Sequence, residues 1–150
     1  MAMRHIIIIS IISLLLSGFS QNIAAQQRFQ TADRIFSGKI SGVKNNSETM
    51  VEGKQLEKYH LFLFHSIQCT TSSKGLNQIY ELIDKDLKTE LSEKDVRKDQ
   101  NGYKFVMIKA DNEKVKGQYL IFKRNSLKEF VIVYLEGEAT PDQLKDMFNK

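Results

Sequence analysis

The sequence predicts an α+β fold of two layers, a mainly antiparallel sheet of four to six strands packed by two helices, in the rough order β-β-β-α-β-β-β-α. Three observations carry that expectation. Phe130-Val131-Ile132-Val133-Tyr134-Leu135 is an unbroken apolar run between Glu129 and Glu136. It is too short for a helix to be the default and rich enough in β-branched and aromatic residues to read as a strand buried on both faces. Leu76, Ile79, Tyr80, Ile83 and Leu87 recur at helical spacing behind the capping hydroxyls of residues 70–73. Thr140-Pro141-Asp142-Gln143 is a capping box with proline at the first helical position. Helices set apart from runs of strands indicate α+β rather than an alternating parallel fold.

The first 25 residues belong to a different class of segment. Arg4 and His5 make a short basic start, residues 6–19 are an apolar run diluted only by serines and Gly18, and Ala24-Ala25 closes a polar stretch. This is the layout of a secretory signal peptide cut after Ala25, with Ile23 in place of the preferred small residue at the minus-three position. The run is shorter than the roughly 20 apolar residues of a membrane-spanning helix. Residues 26–150 are then one globular domain, periplasmic or secreted and not integral to the membrane after cleavage. Cys69 is the sole cysteine and lies far from the cut. It leaves no thiol for lipid attachment at the mature start and no internal disulfide, so the core alone must hold the fold. The mature part carries 21 basic and 18 acidic residues, a net +3, with the two signs alternating along the chain. No basic stripe of the kind nucleic-acid binding needs is present.

In chain order, residues 26–33 read as a loose lead-in and residues 34–40 as a short strand. Asn45-Asn46-Ser47 turns that strand into a second at residues 48–52, the pair forming an N-terminal hairpin within residues 26–58. Residues 59–68 form a strand with apolar side chains on both faces, His60, Phe62, Phe64 and Ser66 on one and Tyr59, Leu61, Leu63, His65 and Ile67 on the other. A helix follows over residues 74–91, with Glu81 and Lys85, and Asp84 and Lys88, paired four apart. Residues 92–100 are charged and read as an exposed connection. Strands at 103–109, 118–124 and 129–136 then make a meander, and the last helix spans residues 141–148. A dozen or more large apolar side chains, worth roughly 1.5–3 kcal/mol each when buried, suffice for this length without metal or disulfide.

No catalytic set, cofactor loop or metal site emerges. His60 and His65 point to opposite faces, and His65 and Cys69 on one face stand roughly 13 Å apart along a strand, too far for one ion. Cys69 precedes a helix start but has no base beside it, so it reads as a small residue capping a strand. Glu81, Asp84, Asp86, Glu93, Asp95 and Asp99 alternate with lysines as a solvated face. Glu136 and Glu138 flank Gly137 at a buried strand's end, with nothing in sequence opposing them. Glycine-rich phosphate loops, nucleophile elbows and EF-hand spacing are all missing. Tyr59, Tyr103, Tyr119 and Tyr134 fall on strands that can neighbour one another, and an exposed tyrosine-bearing sheet face made from them is the binding surface the sequence suggests. Whether residues 26–58 cover the second face of the sheet decides whether such a site is open.

The succession Gly53-Lys54-Gln55-Leu56-Glu57-Lys58-Tyr59-His60-Leu61, a helix, a lysine-rich meander, and Val131-Ile132-Val133-Tyr134-Leu135-Glu136-Gly137 running into Thr140-Pro141-Asp142-Gln143-Leu144 resembles small exported proteins of gut-dwelling Gram-negative bacteria. These are catalogued as domains of unknown function. The resemblance implies an extracytoplasmic place and carries over no catalytic residues. The leading expectation is an exported, non-enzymatic module binding a protein or envelope component. The alternatives are a small hydrolase of envelope polymers using carboxylates scattered in sequence, and a homo-oligomer joined by apolar strand faces.

Overall fold

The computed structural model describes residues 29–38 and 40–148; the expected signal peptide lies outside them. One six-stranded antiparallel sheet runs through the molecule in the order β1-β2-β6-β5-β4-β3. The strands are β1 (Val43–Glu52), β2 (Leu61–Thr71), β3 (Glu93–Asp99), β4 (Gly102–Ala110), β5 (Gln118–Ser126) and β6 (Glu129–Gly137). Helices α1 (Gln30–Phe36) and α2 (Ser73–Leu87) lie on one face of the sheet, and a 3-10 turn (Lys54–Tyr59) with α3 (Pro141–Phe148) packs on the other. The α+β class and the strand-rich order hold, with every described strand pair antiparallel.

The apolar run read as a strand buried on both faces is β6, at the centre of the sheet. Phe130, Ile132 and Tyr134 enter the core under α1 and α2, while Val133 and Leu135 enter the core on the opposite face. Leu76, Ile79, Leu82 and Ile83 of α2 close the first core. Ser72 caps this helix by accepting a hydrogen bond from the Gly75 amide (3.1 Å). On the second face Leu56 and Leu144 seal the centre. The capping box of α3 is made reciprocally: the Thr140 amide donates to Gln143 Oε1 (2.9 Å) and the Gln143 amide donates to Thr140 Oγ1 (3.2 Å). Lys145 holds α3 to Asp95 of β3 (3.2 Å).

Several stretches differ from the sequence expectation, and the helix expected over residues 74–91 ends at Leu87. Residues 30–36 are a helix, not a lead-in and strand. Phe29, Ala32 and Ile35 recur every third residue and are all buried, a helical stripe that the polar residues between them concealed. A seven-residue helix is too short to hold itself; a buried acid from another helix holds it, as described below. Asn45-Asn46-Ser47 does not turn the chain but stays within β1, its turn tendency absorbed by a bulge where the register with β2 skips between Asn45 and Ser47. Residues 93–99 form edge strand β3, invisible to a hydrophobic pattern because Val96 is its single apolar residue and charge is what keeps an edge from pairing with another chain.

The second face is therefore neither wholly covered by residues 26–58 nor left bare. Its centre is capped, and it opens toward the β5–β6 turn, where Ser47, Gln68 and Lys123 are exposed. The alternation expected for residues 59–68 holds from Leu63 onward. Below it a bulge between Leu61 and Leu63 sends Leu61 into the second core and leaves Phe62 57% exposed. His60 is not in a strand at all: it ends the 3-10 turn in the left-handed region (φ 60°).

Candidate functional site: a cleft at the rim of the sheet

The tyrosine face does not assemble. Tyr103 and Tyr134 are buried in the core under α1 and α2, Tyr119 is buried in the core of the other face, and Tyr59 sits half-buried at the end of the 3-10 turn. Strands covered on both sides take their rings inward. Tyr103 belongs to a knot at the far end of the sheet, where its hydroxyl donates to Asp84 and Arg124 donates to the Tyr80 hydroxyl (2.9 Å), the Tyr103 carbonyl (2.9 Å) and Asp99. Tyr119 and Tyr134 sit instead beneath a cleft at the opposite rim.

That cleft, about 620 Å³, lies between the loop of residues 111–117 and the junction of β6 with α3, lined by Lys109, Asp111, Asn112, Glu113, Lys116, Gly117, Gly137 and Glu138. Backbone contacts fix its walls. The Gly137 amide donates to the Gly117 carbonyl (3.0 Å), and the amides of Glu138 and Ala139 donate to the His60 carbonyl (2.9 and 3.0 Å). Gly117 is required here: its φ is +73°, and a methyl group added to it would overlap the Gly137 carbonyl oxygen. The Tyr119 hydroxyl donates to the Ala139 carbonyl and so pins the junction from below. Burial, with Glu93 and Asp111 nearby, pushes that hydroxyl's pKa up to about 12.

The loop is tied by side chains. Asp111 accepts from the Gly117 amide (2.7 Å), and Asn112 Oδ1 accepts from the amides of Lys114 (2.8 Å) and Val115 (2.6 Å). Behind it runs a chain of polar groups. Asn112 Nδ2 donates to Gln118 Oε1 (2.8 Å), Gln118 Nε2 donates to the Tyr134 hydroxyl (2.9 Å), and that hydroxyl donates to Glu136 Oε2 (2.6 Å). Gln118 and Tyr134 are fully buried. Burial raises the Glu136 carboxyl above the usual carboxylate range; the Tyr134 hydrogen bond pulls it down, and Glu52 pushes it up. Glu136 and Glu52 pair with Leu63 from opposite sides, so the partner that Glu136 lacks in sequence comes from β1, more than eighty residues away. The sequence marked Glu136 and Glu138, whereas Asp111, Asn112 and Gln118 carried no such signal.

The cleft presents both signs of charge. Among the described residues, Lys109, Glu113, Lys116 and Glu138 make no ion pair within 4 Å. The hollow is open to solvent and lined by charged and polar side chains and glycine, unlike the mostly apolar clefts that hold small molecules.

The other reactive side chains are closed off. His65 is fully buried, its ring stacked on Phe36 (centroids 3.7 Å apart) and its Nε2 3.1 Å from Glu48 Oε2. Cys69 is buried beside Asn45, and desolvation, with Glu48 adding to it, pushes its thiol up to about 12, so it stays protonated at neutral pH. Among the described residues no three His, Cys, Asp or Glu side chains come together to hold a metal ion. Of the acids read as a solvated face, Asp86 is fully buried.

Residues 19–148 match a family of unknown function, DUF6108. The chain belongs to this family. The match covers every described strand and helix, including the cleft loop and the β6–α3 junction, so the whole fold is that of the DUF6108 domain. No curated protein and no solved structure matches the chain. Among the described residues no helix is long and apolar enough to cross a membrane.

Proposed function

We propose that this DUF6108 protein is an exported, non-enzymatic binding module of the bacterial envelope, working in the periplasm or outside the cell, and that it takes a protein or envelope component at the rim cleft. Export rests on the basic start and the apolar run of residues 6–19. Binding rests on a single observation: a 620 Å³ hollow where Glu113, Lys116 and Glu138 face solvent and Lys109 lies half-buried over the Tyr119 ring, none of the four pairing with another. A ligand carrying both charges along a short extended chain, as a peptide segment does, complements that pattern.

The probe is a labelled Ala-Glu-Lys-Ala tetrapeptide followed by fluorescence anisotropy. Lys116→Glu and Glu113→Lys are each expected to weaken binding about three- to fivefold, the scale of an exposed ion pair, with 0.5 M salt, roughly three times the physiological ionic strength, weakening it further. Absence of binding at about 1 mM peptide rejects the cleft as a peptide site.

A second reading, a small hydrolase of envelope polymers, draws on Glu136, whose carboxyl is raised by burial and by Glu52. A raised carboxyl beside a second acid is the arrangement of a general acid. Release of cleavage products from an envelope polymer, abolished by Glu136→Gln, would favour it over the binding reading.

A further inference from the structure

The polar chain behind the cleft has one direction. Its inner end, Glu136, is an acceptor when ionised; its outer end is two backbone N–H groups, Lys114 and Val115, which can only donate. Between them, Tyr134 must give its proton to Glu136 and therefore accept from Gln118. Gln118 must turn its amino group to Tyr134 and its carbonyl to Asn112, and Asn112 must turn its carbonyl to the loop. Along these bonds both ends dictate the same orientation for the two side-chain amides. Such a chain polarises along its length and holds its members more firmly than isolated pairs do.

We propose that Glu136 is a positioning residue for the cleft, acting through Tyr134, Gln118 and Asn112 to fix residues 111–117 in the conformation that presents Glu113 and Lys116 to a ligand. The inference rests on the cleft being the binding site, yet its physical content, a coupling between a strand-end carboxylate and a loop, exists without ligand. Tyr134 also anchors the chain to α1, since its ring packs edge-on against Phe29 (centroids 6.2 Å apart), so the loop is referred to the rigid core rather than to the surface.

Hydrogen exchange of the protein without ligand tests the coupling. Tyr134→Phe removes one oxygen and keeps the ring, and Glu136→Leu removes the terminal acceptor. Each is expected to speed exchange of the Lys114 and Val115 amides about fivefold, the yield of one lost net hydrogen bond. The double variant should be no worse than either single one, as for two cuts in one wire. Glu136→Gln, which keeps an acceptor oxygen, should restore slow exchange. Unchanged exchange at residues 114–115 in Tyr134→Phe, or strictly additive losses, overturns the proposal. A core weakened in general would speed exchange in β5 and β6 as well, so protection there separates positioning from mere stability. Failure of the tetrapeptide to bind would reject the site reading and leave this measurement unaffected.

Discussion

Asp86 shows how much one side chain decides. It projects from α2 into the start of α1, where its carboxylate accepts from the Gln30 amide (2.7 Å), the Thr31 amide (2.9 Å) and the Thr31 hydroxyl (2.6 Å). A helix start has unpaired N–H groups and a partial positive charge, so a carboxylate from another helix can serve as its cap. Burial pushes the Asp86 carboxyl above the usual range, against the three hydrogen bonds, which pull it down. The native chain therefore keeps this proton to higher pH than the unfolded chain. Ionisation of Asp86 subtracts from stability as pH rises from about 4, the unfolded value, through the raised native value, and the loss is complete above it. Asp86→Ala strands three donors and should cost roughly 3 kcal/mol at pH 7, with exchange protection vanishing over α1. It should also remove this group's part of the acid-limb slope in urea unfolding. A stability loss under 1 kcal/mol, within the range of ordinary surface changes, would show that α1 is held by its apolar side chains alone.

At the scale of elements, the cleft depends on a loop and a strand end that meet only if residue 117 is glycine. Gly117→Ala places a methyl group against the Gly137 carbonyl and forces a left-handed φ on a residue with a Cβ. The expected cost is roughly 2–3 kcal/mol, with the amides of residues 137–139 shifting in the spectrum while those of α2 stay in place. A silent substitution would mean that the loop docks elsewhere. The same contrast explains what could be read in advance. β2, β4, β5, β6, α2 and α3 were legible because each buries a periodic apolar stripe, and the caps at Ser72 and Thr140 were legible because capping is local in sequence. α1 and β3 were not, since one is anchored by Asp86 from fifty-odd residues away and the other is an edge strand made of charge. The cleft had the weakest signal: Glu136 stood out beside Gly137, but Glu52, Gln118 and Asn112 join it only through strand register and loop closure.

At the scale of the molecule, two layers of cover leave little apolar surface exposed among the described residues. Phe62 and Leu127 are the large apolar side chains exposed among the described residues. They stand at opposite ends of the sheet, one beside the end of β6 and the other in the turn before its start. A dimer joined by apolar strand faces would need a contiguous patch, and these two residues do not make one. The net charge of +4 is spread along the chain, which suits a short-range charged contact better than binding to a polyanion. The central proposal is that recognition happens at the mixed-charge rim. Titrating isotope-labelled protein with the Ala-Glu-Lys-Ala peptide and following backbone amide shifts tests it most directly. Shifts confined to Lys109, residues 111–117 and residues 137–138 are expected. Shifts absent there, or gathered instead around Ser47, Gln68 and Lys123 on the open part of the second face, would contradict it.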